Sequence, residues 1–288
     1  MMLPVSTSKI VLAGMLAVLF LGGNAITSTS TLHEEGPSGT INWEKGEIVM
    51  VYPSKTTMGS FKKEPHDISS ALQKLKADYL KLIQSLRINN TTTVGELLEE
   101  DPNLKEECLD SFYLAHIQKM TLLSPGKPAI KLVIPLYGET GISRLFFYKL
   151  MPPTDAPIHT VLRSCLSHPS VPYRLGIAPT GLIVDARGLQ AYPCLAPDLC
   201  TPSGNLLYSL SSPQFLHTLS FGTVAYHESL DNALKDPRIG ENPLVVKATS
   251  VSTVFRGNLY VSLADAIRIQ EATRQTGFLE TGHVIIVL

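Results

Sequence analysis

Residues 66–86 carry the longest amphipathic pattern in the chain. Ile68, Leu72, Leu75, Tyr79, Leu82, Ile83 and Leu86 recur at helical spacing and form one apolar stripe. Lys74, Lys76, Lys81 and Gln84 occupy the opposite face. Asp67, following Pro65, is placed to cap the first turn. A helix with a single apolar face must bury it against another layer. The segments around it read mostly as short strands, so that layer is expected to be a sheet.

Residues 47–52 read as a strand closed by Pro53. A broken helical region spans 94–109. Residues 111–122 and 129–136 read as two antiparallel strands joined by Ser124-Pro125-Gly126-Lys127-Pro128, which has strong turn chemistry. Residues 142–150 suggest a short helix. A Pro-rich stretch, 151–172, has the composition of a connector. Beyond it, Gly181-Leu182-Ile183-Val184 is a strand, residues 205–210 another, 229–234 a short helix and 243–254 a strand. Residues 263–274 form a helix capped by Ser262 and closed by Gly277. Its stripe is read as Leu263, Ala266, Ile267, Ile269 and the stem of Arg274. The run Val284-Ile285-Ile286-Val287-Leu288 has no polar alternation, as expected of a central strand covered on both faces. The expectation is an α+β chain of two small domains, each a mainly antiparallel sheet covered by helices, at 41–150 and 173–288.

The first 25 residues are read as an export signal. Lys9 precedes the apolar stretch 10–23, and Gly23-Asn24-Ala25 offers small residues to a signal peptidase. The stretch is shorter than the roughly 20 residues a spanning helix needs. An uncleaved anchor is the alternative. Residues 26–40, rich in Ser, Thr, Gly and Glu, read as a flexible leader. No later segment is apolar enough to span a bilayer, so the mature chain is expected to be periplasmic or outer-membrane-associated. The chain has 24 Lys+Arg against 25 Asp+Glu, a balance that argues against a nucleic-acid partner.

Four cysteines are present, Cys108, Cys165, Cys194 and Cys200. An exported chain permits disulfides. The short spacing and Pro197 suggest a local Cys194–Cys200 bridge; the alternative is that these are small buried hydrophobes. The spacing suits no zinc site, and no GxSxG, GxGxxG or P-loop pattern occurs. Neither a cofactor nor a catalytic residue is suggested. Two polar loops stand out. Asp185-Ala186-Arg187-Gly188 ends a strand on a charged pair, which suits either a ligand-binding edge or a local ion pair. In Asp236-Pro237-Arg238-Ile239-Gly240-Glu241-Asn242-Pro243, Arg238 suits an anion or else braces loop carbonyls. Asp185, Arg187, Arg238 and Asn242 are the binding candidates. The eight histidines show no spacing that forces a shared site. Asn89 and Asn90 each match the glycosylation sequon.

Several phrases occur in a recognisable order. They are Gly39-Thr40-Ile41-Asn42-Trp43-Glu44-Lys45-Gly46, Thr92-Thr93-Val94, and Val133-Ile134-Pro135-Leu136-Tyr137-Gly138. Thr180-Gly181-Leu182-Ile183-Val184-Asp185-Ala186-Arg187-Gly188 and Arg238 through Ala248 follow. This order resembles exported bacterial proteins related to the LPP-type outer-membrane lipoproteins and the FlgT-type flagellar assembly proteins. The resemblance implies a non-enzymatic envelope protein with a structural role. Its partners would be envelope or basal-body proteins, or itself. No lipoprotein Cys follows the signal, so lipid anchoring is not expected. A second reading is a periplasmic binding module for a small anionic ligand, built on Arg187 or Arg238.

Overall fold

The computed structural model describes residues 32–53, 68–114, 116–124, 127–151 and 178–288. The chain is α+β and builds two sheets. The first, ordered β1-β2-β3-β5-β4, is antiparallel throughout. Its strands are β1 (His33–Glu35), β2 (Gly39–Asn42), β3 (Glu47–Tyr52), β4 (His116–Ser124) and β5 (Lys127–Pro135). The reading of 26–40 as a flexible leader fails for residues 32–40. Leu32 is fully buried. Glu34 accepts from the Trp43 indole at 2.7 Å and pairs with Arg87. Those contacts fix an otherwise polar segment as strands.

Helix α1 (Ile68–Gln84) lies on this sheet and buries Leu75, Tyr79, Leu82 and Ile83 of its stripe together with Ala71, while Ile68, at its first residue, is exposed. Each fully buried Leu or Ile contributes about 1.5–3 kcal/mol relative to exposure. The expected cap, Asp67, lies outside the described residues. The broken helical region is two helices, α2 (Val94–Glu100) and α3 (Pro102–Ser111). Thr93 and Glu96 form a capping box at the start of α2. Asp101 caps α3, and Pro102 takes its first turn. Phe112–Leu114 continues as a 3-10 turn, so β4 starts later than the hydropathy suggests. Helix α4 (Ser143–Leu150) completes the first unit.

The second sheet is ordered β8-β7-β11-β10-β6-β12-β9. It comprises β6 (Gly181–Asp185), β7 (Leu199–Cys200), β8 (Leu206–Tyr208), β9 (Ala225–His227), β10 (Pro243–Val251), β11 (Leu259–Val261) and β12 (Val284–Val287). Its β10–β11 and β7–β8 pairs are antiparallel. At its centre the expectation of mainly antiparallel pairing gives way: β10, β6, β12 and β9 run parallel. The reason is burial. The β6 and β12 segments are apolar on both faces, and such strands suit parallel pairing under helices. Helices α5 (Phe215–Phe221), α6 (Leu230–Ala233) and α7 (Leu263–Thr276) belong to this unit. Ser262 caps α7, and Gly277 closes it in the left-handed region, φ +68°. Helix α7 buries Ala266, Ile269 and Ala272. Leu263 and Ile267, assigned to its stripe from sequence, are exposed.

The two sheets share one continuous hydrophobic core. The turn at residues 43–46 lays Trp43 edge-on to Tyr226, ring centres 5.9 Å apart. The Gly138 amide donates to the Leu219 carbonyl, and the Leu195 and Ala196 amides donate to the carbonyls of Arg87 and Ile88. Asn89 and Asn90, the sequon residues, serve this junction. The Asn89 carboxamide accepts from Thr91 and Thr92 in a side-chain turn. That of Asn90 accepts from Ser252.

Candidate functional site

In open sheets with parallel strands, ligand-binding groups collect beyond the carboxyl ends of the strands. Here that edge carries a polar row. Lys247, Asp185, Val287 and His227 occupy one register level across β10, β6, β12 and β9. Val287 of this row packs with Ile183 and Ile285, which lie one level below on the same face. Asp185 and His227 take their partners from this chain. Arg187 donates through Nε and Nη2 to the two Asp185 oxygens at 2.9 and 2.8 Å. Those bonds hold the Asp185 carboxyl below the usual carboxylate range. His227 stands between two carboxylates, Nδ1 to Glu44 at 3.1 Å and Nε2 to Asp236 at 2.8 Å.

Arg238 and Asn242 lie at the other end of β6. Arg238 donates to the carbonyls of Gly282, Phe221 and Gly222 at 2.8, 2.8 and 2.9 Å. Burial lowers the pKa of its guanidinium. Asn242 and Thr180 bond each other, main chain to main chain and amide to hydroxyl, extending the β6–β10 ladder. The four residues proposed from sequence therefore fall into two groups at opposite edges of the sheet. Arg238 adopts the plainer of its two readings, bracing loop carbonyls. His217 sits beside this edge, its ring against Phe221 and His283. Its buried Nε2 has no hydrogen-bond partner. Desolvation, then Arg238 and His283, lower its pKa to about 4.

The Cys194–Cys200 bridge is not formed; both are buried free thiols. The Cys194 sulfur faces Gly257, and its main-chain groups bond the Tyr226 hydroxyl. Cys200 is held in β7 between β8 and β11. Burial pushes their thiols up to about 12 and about 11, so neither is a ready nucleophile. Cys108 is also a buried free thiol; Cys165 lies outside the described residues. No cluster of three metal-ligating side chains occurs among the described residues.

The first unit carries a different kind of surface. Tyr113, Leu114 and Ile117 are 70%, 62% and 49% exposed around the 3-10 turn. On one side of this ridge lies a groove of about 330 Å³ with Leu72, Lys76, Phe112 and Ile117 in its walls. On the other lies a recess of about 500 Å³ between α3 and α4, reaching Leu145 and Tyr148. Strand β4, nine residues long, leaves one backbone edge unpaired among the described strands. Sequence patterning missed this ridge because its residues read as the start of a strand.

Residues 181–288, from the first residue of β6 onward, match a family model described as Treponema pallidum Tp0624, second domain. No curated protein matches the chain. No helix among the described residues is long and apolar enough to cross a membrane.

Proposed function

We propose that this chain is an exported, non-enzymatic protein of the bacterial envelope with a structural or assembly role, at the outer membrane or flagellar basal body. The observation that carries the reading is the ridge formed by Tyr113, Leu114 and Ile117. Three large apolar side chains stand in water between two depressions. Grouped apolar exposure of this kind marks protein contact surfaces. The adjacent edge of β4, which no other described strand pairs, offers main-chain groups to the same partner. The order of sequence phrases, which resembles that of envelope and flagellar assembly proteins, suggests the cellular setting. The anionic-ligand reading draws little from the geometry, since Arg187 and Arg238 are each engaged by this chain and stand at opposite edges.

In-cell photocrosslinking from position 113 in the native host tests the proposal. The expected result is capture of outer-membrane or basal-body proteins, lost when Leu114→Asp is added. Recovery of the chain alone, or capture unaffected by Leu114→Asp, would overturn it.

A further inference from the structure

We propose that Glu44, His227 and Asp236 form a proton-dependent joint between the two sheets, tightest at acidic pH. The argument rests on hydrogen-bond valence. Both ring nitrogens of His227 face carboxylate oxygens, Glu44 at 3.1 Å and Asp236 at 2.8 Å. An ionised carboxylate only accepts, and a neutral imidazole donates from one nitrogen alone. Both contacts are hydrogen bonds only when the assembly holds an additional proton, on the ring or on one of the carboxyls. Either placement is favoured at lower pH, so the direction does not depend on which group holds the proton.

The geometry also selects which contact fails. Asp236 is fixed within the second unit, where its other oxygen accepts from the Arg238 amide at 2.8 Å. A neutral His227 keeps its shorter contact to Asp236 and turns a lone pair toward Glu44. Glu44 belongs to the turn at residues 43–46 of the first unit, beside the Trp43–Tyr226 contact. The bond lost is thus the one that crosses between the sheets. Closing the joint takes up a proton, so by linkage its contribution is present at low pH and lost as pH rises. The other charged groups on the surrounding elements are Lys45 and Glu47 beside Glu44, and Glu228 and Asp231 after β9. Lys235 and the Arg238 guanidinium flank Asp236, and Asp185 with Arg187 and Lys247 stand along the row.

The test is hydrogen exchange on the full chain at pH 5.5 and 7.5, corrected for intrinsic exchange. The amides read are Gly138 and Ala196, whose bonds cross between the units. Amides of the β3–β5 ladder are the control. Losing a charge-assisted bond should reduce protection at Gly138 and Ala196 about tenfold or more at the higher pH, with the ladder unchanged. In Glu44→Gln the amide group donates to the neutral ring, so protection should stay constant. His227→Gln, which removes the imidazole between the two carboxylates, should also be flat; if it does not fold, Glu44→Gln decides alone. An unresponsive parent, a Glu44→Gln response equal to the parent's, or an equal change in the ladder would each overturn the proposal.

Discussion

Arg238→Met separates a structural arginine from a ligand-binding one. The substitution keeps most of the apolar stem and removes three donors from the carbonyls of Gly282, Phe221 and Gly222. A hydrogen bond to a charged group contributes about 1.5–3 kcal/mol, so the three sum to roughly 5–9 kcal/mol gross. Removing a buried cation returns part of its desolvation cost. The Phe221 carbonyl, at the exposed end of α5, regains water. A net loss of about 3 kcal/mol is expected. For a chain of this size that lowers Tm by about 6–12 °C. Urea titration and thermal melts of parent and variant provide the measurement, with Arg187→Ala beside them. Arg187 is 47% exposed and its pair with Asp185 is screened by water, so its loss should move the midpoint little. A Tm within about 2 °C of the parent for Arg238→Met, with an unchanged urea slope, would refute the bracing role.

Two further outcomes follow from neighbouring residues. His217 titrates near 4 in the fold against an ordinary 6.5, so between those values the unfolded chain binds the extra proton. Stability should be fully present above pH 6.5 and fall as pH drops toward 4, by about 1 kcal/mol after screening of a partly buried ring; urea midpoints at pH 4.5 and 7 should show this slope, and His217→Phe should flatten it. Gly222 sits at φ +75°, ψ 173°, and a Cβ there would meet the Tyr137 ring at 2.5 Å. Gly222→Ala should cost about 2–4 kcal/mol, with Tyr137→Leu in the same chain recovering the steric share only; a cost under about 0.5 kcal/mol would refute both the strain and the clash.

How far the fold was legible depended on the range of the forces involved. The stripe from Leu72 to Ile83, the turn chemistry between β4 and β5, and the cap Ser262 are local signals, and the long helix, the antiparallel β4–β5 pair and the capped α7 form. The apolar run at Val284 predicted a central strand, and β12 lies between β6 and β9 with all four residues buried. What failed was set by distant partners. Strand β1 is held by its ladder to β2 and by Glu34 meeting Arg87, and β2 by its ladder to β3. The short strand β9 exists because Ile285, Ile286 and Val287 offer it a ladder. The site was legible only in part. Asp185 and Arg187 pair across two positions, a distance sequence can show. His227 and Glu44 are 183 residues apart, and neither carries a local signature. Sequence could propose Arg238 as a polar anchor, but only the packing of α5 and residue 282 around it decides what it holds.

The order of strands in the second sheet also dictates when that sheet can be assembled. Strand β6 is made first, yet its neighbours β10 and β12 arrive about 60 and 100 residues later. Among the described strands β9 pairs with β12 alone. During synthesis the apolar faces of β6 and β9 therefore wait without their ladders. Closure of the parallel centre is a late, long-range event of the kind that folds slowly. A chain cut just before Val284 would strand β9, leave β6 with one neighbour, and present Ile183 and Tyr226 to whatever binds unfolded polypeptide.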